Sequence, residues 1–478
     1  MDRSGYLYQA FCRHFPYEAT SCQTALLHAV ALFLTADEGD ILVVNGYAGT
    51  GKTSAMAAVV AALAELSLFP VLLAPTGRSA KVLSLYAGRA ASTIHKHIYR
   101  QKSFGADGFG SFSLAPNKAK NTLFIVDEVS LIGISGSEGA AFGTGDLLAD
   151  LISFVRSGVD CKLILMGDAA QLPPVGLDAS PALSMDYMSA FGGVSYVELT
   201  SVVRQAEDSG ILLNATHLRS LLNAMDGPIL CADLGLRIPR PGHDPESPDI
   251  LRLSGGELLE TLADAYGKYG EDEVVVLCRS NKRAGRYNLG IRGQVLYREE
   301  QLSRGEKLMV VKNHYLEGLE GTDYIANGDI GTLVWIRHFE ERYGLHFADA
   351  CLAFPDYGNQ EVEMKVLLDT LSSDAPALGY AESQALWQGV WADYEHIRTK
   401  KKRYEAVRED PFYSALQIKY AHAITTHKAQ GGQWQCVFID NPFWQEGLVA
   451  EDIKWLYTAL TRAVRQVYLV NFKDSLFG

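Results

Sequence analysis

Lys52 and Thr53, the acidic pair Asp127 and Glu128, and Gln171 have the types and the order that chemistry on a polyphosphate requires. Lys52 and Thr53 close the octamer Gly46-Tyr47-Ala48-Gly49-Thr50-Gly51-Lys52-Thr53, which fits G-x-x-x-x-G-K-[ST] in full. Glycines let successive N–H groups turn inward around phosphates, a helix starting near Lys52 adds its positive end, and Lys52 reaches the β- and γ-phosphates. Thr53 has the hydroxyl to hold Mg²⁺. Asp127 can bind the same ion through water, while Glu128, pointing the other way, polarises the water that attacks the γ-phosphate. Gln171, held between Gly167 and the paired prolines Pro173 and Pro174, can sense the γ-phosphate or orient that water.

These groups need rigid supports, and the flanks supply them. The octamer follows the apolar run Ile41 to Val44 and precedes an alanine-rich stretch from Ser54 to Leu66, so it reads as strand, loop and helix. Val71 to Ala74, Thr122 to Val126, Lys162 to Met166 and Val194 to Leu199 read as further strands, alternating with helices as in a parallel α/β sheet. Loops at the carboxyl ends of such strands lie on the ligand face, which places Pro75-Thr76-Gly77-Arg78 there too. Gln23 opens an earlier helix capped by Thr20 or Ser21; an amide can read adenine, although a single glutamine at a helix start is commonly just solvated.

The chain has 478 residues, enough for two to four domains, and a formal net charge of −13. A nucleic-acid partner therefore needs a lined channel in place of a basic surface. Seven scattered cysteines without a C-x-x-C pair argue against a disulfide framework and a zinc site and for a reducing cytoplasm. No apolar run approaches the roughly 20 residues of a membrane span, and the amino end, MDRSGYLYQAFCRHF, lacks a signal-peptide core. The glycine-rich tract from about 97 to 121, with Phe104, Phe109 and Phe112, reads as a β-hairpin with an aromatic tip, or else a surface loop. RAGRYNLGIRGQVL, from Arg283, reads as a helix with its arginines solvated or facing phosphate. Short strands from 299 to 410 read as a small antiparallel β-barrel or sheet, and Arg398 to Arg403 as a solvated basic helix face or, less commonly for such a run, a phosphate-backbone contact.

NGYAGTGKT, LLAPTGRSAKVL, STIHK, FIVDEVS and MGDAAQLPPVG, in this order, resemble the first five motifs of the superfamily 1 helicases of the RecD and Dda type. The resemblance covers most of the chain. It continues in LTSVVRQ, in KYAHAITTHKAQG and in WLYTALTRA. What it implies is two RecA-like P-loop cores of parallel sheet, at 1–200 and at 201–298 with 411–478, the hairpin inserted in the first and the barrel in the second. It implies an ATP-dependent DNA helicase moving 5′ to 3′ on single-stranded DNA, acting at single-strand/duplex junctions as a cytoplasmic monomer. An ATP-driven translocase that does not unwind, or an RNA-directed helicase, are the alternatives. The resemblance places Gln23 on adenine and Gly431 at the nucleotide, and makes Arg204 and Arg462 arginine fingers. It sets Pro75, Thr76, Arg78, Thr93, His95, Asn281, Thr425, Thr426, His427 and Lys428 toward DNA, with the three phenylalanines on the duplex-splitting hairpin.

Overall fold

Every residue of Ile41–Gly46 is buried, and alternate side chains enter different cores. Ile41 and Val43 pack with Phe124 and Leu163, whereas Leu42 and Val44 pack with Met56, Val59 and Ile164. A strand covered on both faces belongs inside a parallel sheet with helices on either side. In the computed structural model, which describes residues 2–104, 110–134, 143–201, 209–238, 248–319, 322–325 and 327–478, that is its place. Six parallel strands run in the order Ala91–Thr93, Val71–Ala74, Leu123–Val126, Lys162–Gly167, Ile41–Gly46, Val194–Leu199. Helices Arg3–His14, Ser21–Thr35 and Lys52–Glu65 cover one face and Leu147–Arg156 the other. The carboxyl ends of the strands thus carry the phosphate loop, Thr76, Asp127 and Asp168 to one edge.

The second core repeats the plan with five parallel strands, Ile250–Leu253, Ala463–Val470, Trp434–Asp440, Val274–Cys278 and Ala423–Thr425. One apolar cluster runs through both cores, joining Tyr47, Ala170 and Leu172 of the first to Ile211, Trp455 and Leu456 of the second.

A closed barrel interrupts the second core, built from Lys307–Val310, Ile330–Arg342, Leu345–Phe354, Gln360–Leu367 and Leu416–Tyr420. Its closing strand lies beyond residue 410, inside the segment expected to have returned to the core. Only Ala421 and His422 separate that strand from Ala423–Thr425, so the return from barrel to core is short. Helices Tyr380–Asp393 and Lys400–Glu409 pack on the barrel's outer side through Leu386, Val390 and Val407. Lys400, Lys401 and Lys402 are exposed, while Arg403 lies over Trp391, 4.2 Å from its ring centre.

Of the three arginines in the stretch from Arg283, expected to be solvated or to face phosphate, Arg286 is exposed but the other two are engaged by carboxylates. Arg283 forms a two-pronged pair with the buried Asp440, at 2.6 and 2.8 Å, and Arg292 is buried against Glu306 at 3.0 Å. Arg298 and His422 approach the same Glu306 oxygen, at 3.3 and 3.4 Å. Burial pushes the Glu306 carboxyl up, but the hydrogen bonds from His422 and Arg292 outweigh it and hold it below the usual carboxylate range. This cluster pins the barrel's first strand to the second core. Glu306→Ala should lower stability by about 3 to 5 kcal/mol, since it leaves the buried Arg292 without a carboxylate; urea denaturation of the variant beside the wild type measures it.

The hairpin is present. Tyr99–Phe104 pairs antiparallel with Gly110–Leu114, Phe104 opposite Gly110 and Gln101 opposite Phe112. Phe112 is not an exposed tip residue: it is partly buried at the hairpin's base against the core that holds Ile98 and Tyr99. Phe109 lies outside the described residues.

Candidate functional site: a cleft between two cores

The phosphate loop takes its shape from two left-handed glycines, Gly49 and Gly51, both at φ 76°. Gly51 caps Lys52–Glu65 with backbone alone, so no side chain stands over that helix's first amides, where an anion is favoured. Lys52 folds back on its own loop, donating to the carbonyls of Gly46 and, at 3.2 Å, Tyr47. A Cβ on Gly46 would meet the Lys52 stem at 2.6 Å, so a side chain there would push the lysine from this position.

A cleft of about 340 Å³ opens over this loop. The first core lines it with Ala48, Gly49, Gly51, Lys52, Thr53, Asp127, Glu128, Asp168 and Gln171, and the second with Gly431, Gln433, Thr461 and Arg462. Asp127 accepts the Glu128 N–H at 2.8 Å. Burial, then the neighbouring Glu128 charge, pushes the Asp127 carboxyl up to about 6, against the pull of that N–H and Lys52. Glu128 sits in the left-handed region at φ 55°, and its Oε2 is buried without a partner, as is Oε1 of Gln171. Two crowded carboxylates, one with an idle oxygen, beside the Thr53 hydroxyl fit a divalent cation, which would favour their ionised forms. Among the described residues no cluster of three or more His, Cys, Asp or Glu could hold a metal by itself.

Arg462 is 4% exposed. Its guanidinium donates to the Thr458 carbonyl at 3.0 Å, the Gly432 carbonyl at 3.4 Å and the Thr461 hydroxyl at 3.2 Å, with no carboxylate among these partners. A buried cation balanced only by neutral oxygens is primed for an anion. Arg204 lies outside the described residues.

Gln23 stands behind the loop and does not line the cleft. It is 3% exposed, its Nε2 donating to the Thr50 carbonyl at 2.9 Å and its Oε1 accepting the Thr20 N–H at 2.9 Å. The amide expected to face a base thereby completes a capping box and ties a helix start to the phosphate loop.

The residues expected to face DNA divide into groups. Thr76 caps Gly77–Ala87 through the Ser79 N–H at 3.2 Å, and Arg78 stacks on Trp434 of the second core, 4.0 Å from its ring centre. Gly431, at φ 75°, passes so close that a Cβ would overlap the Ser79 hydroxyl at 1.9 Å. Thr76 and Arg78 therefore meet the turn after Lys428. Lys428 donates to Asn327 of the barrel, Thr426 is buried with an unpartnered hydroxyl, and burial pushes His427 down, keeping it neutral. Thr93 and His95 lie apart at the hairpin's foot, Thr93 capping Ile94–Ile98 and His95 beside Tyr99. Asn281 begins a helix capped by Ser280.

A family model described as an AAA domain matches residues 23–221, and one described as a UvrD-like helicase C-terminal domain matches residues 420–470. The ATP-dependent DNA helicase dda of Enterobacteria phage T4 is 25% identical over 463 residues, 89% of this chain and 93% of that protein. The ATP-dependent RecD2 DNA helicase of Deinococcus radiodurans is 34% identical over 177 residues. The chain is thus similar to DNA helicases of the RecD and Dda type, the dda match running over most of its length.

Coverage differs among these relatives. The RecD2 match takes in 37% of this chain and 21% of that protein, and an uncharacterised Methanocaldococcus jannaschii protein, 22% identical, is covered over 36% of its length. The chain thus spans well under half of these two. A crystal structure of Pif1 helicase from Bacteroides with ADP-AlF3 and ssDNA is 14% identical, with 96% of this chain and 94% of that one covered and a TM-score of 0.47.

Two further residues, Arg219 and Tyr457, make contacts between the cores that no motif spacing indicates. Arg219 stacks on Tyr47 at 4.2 Å, and Tyr457 reaches the phosphate loop itself. Tyr457 lies within the same stretch as Arg462, so position in the motif was the available signal; what it touches was not.

Proposed function

We propose that the protein is an ATP-dependent DNA helicase that moves 5′ to 3′ on single-stranded DNA and separates duplex. The observation that carries this reading is Arg462: a buried, carboxylate-free cation from the second core sharing one cleft with Lys52, Asp127 and Glu128 of the first.

The chain's own groups divide the work. Lys52 leaves its loop carbonyls for the β- and γ-phosphates, and Thr53 with Asp127 would hold Mg²⁺, which would supply neutralising charge to the phosphates. Glu128 takes a proton from the attacking water, and Gln171 orients that water. Arg462, with Arg204, stabilises charge on the γ-phosphate only while the cores are together, so closure is favoured before hydrolysis and lost after it. Thr76 and Arg78 in one core and Thr425 to Lys428 in the other then grip a strand alternately.

The scale is sufficient. Stacking one base is worth about 1 to 3 kcal/mol, and opening one base-pair step costs about 1.4 kcal/mol. The antiparallel hairpin supports unwinding over translocation alone. No helix among the described residues is long and apolar enough to cross a membrane, and the protein is proposed to act in the cytoplasm as a monomer at single-strand/duplex junctions. Strand displacement on 5′- and 3′-tailed DNA and RNA duplexes with ATP and Mg²⁺ tests all of this. Opening of the 5′-tailed DNA duplex is expected; opening only of 3′-tailed or RNA substrates overturns the polarity or the substrate, and hydrolysis without displacement leaves a translocase.

A further inference from the structure

Tyr457 belongs to Ala450–Leu460 in the second core, yet both partners of its hydroxyl lie in the first. It donates to Asp168 Oδ2 at 2.7 Å and accepts the Ala48 N–H at 2.9 Å. Ala48 is in the phosphate loop and Asp168 opens the turn that carries Gln171; both line the cleft. Tyr457 is 1% exposed. Burial, then Asp168, raises its phenol well above the ordinary value, which keeps the proton on and fixes the direction of both bonds.

The next residue extends the contact. Thr458 Oγ1 accepts the Leu172 N–H at 2.8 Å, and Gln430 Nε2 donates to the Leu172 carbonyl at 2.8 Å. Both backbone groups of the residue after Gln171 are therefore held by the second core. Thr458 in turn supplies the carbonyl that anchors Arg462. One helix consequently touches the phosphate loop, the Gln171 turn and the arginine, through hydrogen bonds whose lengths leave little slack.

We propose that Tyr457 is a positioning residue that makes the phosphate loop and the Asp168–Leu172 turn move as one piece with the helix carrying Arg462, so that a change at the Ala48 N–H reaches the arginine. This rests on the helicase reading above and deepens it: Tyr457 acts through Ala48, Asp168 and Arg462 and does not itself touch the reacting atoms. Phosphate drawn into the loop competes for the Ala48 N–H, and the released phenol oxygen transmits that competition to the helix. A tyrosine retained only for its buried ring would not need the hydroxyl.

Tyr457→Phe separates these roles, since it keeps the ring and removes the oxygen. DNA-stimulated kcat should fall about 10-fold, the scale of one hydrogen bond to a charged group, with KM for ATP changed less than about threefold. ATP consumed per base pair opened should rise. Asp168→Asn should give the same kcat-weighted loss, and the double variant should be no slower than Tyr457→Phe alone. Thr458→Val, which removes the Leu172 contact from the other side, serves if Tyr457→Phe melts early. An unchanged kcat in Tyr457→Phe, additive losses in the double variant, or a fall in kcat/KM carried by KM alone overturns the inference. Absence of DNA-stimulated hydrolysis in the wild type instead overturns the helicase reading, so the two failures are distinguishable.

Discussion

Arg462→Ala should reduce DNA-stimulated ATP hydrolysis by about 10³- to 10⁵-fold, the range over which arginine fingers act in related phosphoryl-transfer sites. The size follows from location. The guanidinium comes from the core opposite the phosphate loop, is buried, and is balanced only by two carbonyls and a hydroxyl, so it has no competing carboxylate to leave when a phosphate arrives. Because it is buried, truncation also removes packing at the base of the cleft, and a melting curve must accompany the kinetics. Arg462→Lys isolates the chemistry, because it keeps the charge but loses the planar fork that holds three acceptors at once. Lysine should recover folding and only a small part of the rate. Binding of a non-hydrolysable ATP analogue should weaken far less than kcat in both variants. A loss below about tenfold in Arg462→Ala would remove this residue from the transition state and shift the role to Arg204.

Most of the first core was legible because its signals are local. Ile41 to Val44, Val71 to Ala74 and Val194 to Leu199 are short apolar runs that end in loops with chemistry, and the observed strands begin and end within two residues of those expected. The second core was read less well. Its strands appear in the sequence in the order Ile250–Leu253, Val274–Cys278, Ala423–Thr425, Trp434–Asp440, Ala463–Val470, with the barrel inserted between the second and third as expected. The barrel's closing strand, Leu416–Tyr420, runs almost directly into Ala423–Thr425, with only Ala421 and His422 between them, and composition marks no boundary there.

In the site, the residues legible from spacing were those whose chemistry comes from one short stretch, such as Lys52 with Thr53 or Asp127 with Glu128. Contacts between distant stretches were not legible. Gln23 looked free to read a base, but the Thr20 N–H and the Thr50 carbonyl take up its amide. Arg283 and Arg292 were expected in solvent or facing phosphate, but Asp440 and Glu306, at 157 and 14 residues' separation, claim them. Phe112 looked like a tip aromatic and packs at the hairpin's foot. In each case a side chain with two plausible environments was settled by a partner that periodicity cannot locate.

Glu128→Gln should bind ATP and lose about 10²- to 10⁴-fold in DNA-stimulated turnover, the contribution of a positioned general base. The substitution is nearly isosteric, so the left-handed backbone at φ 55° and the N–H to Asp127 at 2.8 Å can both persist. Only the ability to take a proton is lost. Glu128 has a buried Oε2 with no partner, which is costly for a structural carboxylate and useful for one that must accept from water. Removing its charge also relieves Asp127, whose carboxyl is pushed up to about 6 by burial and then by Glu128. Asp127 should become more acidic in the variant, so Mg·ATP should bind as tightly as in the wild type or more tightly. That direction separates a missing base from a damaged site, in which binding and turnover would fall together. Single-turnover hydrolysis measured beside nucleotide affinity gives both values from one preparation, and normal turnover with normal affinity would place the base elsewhere.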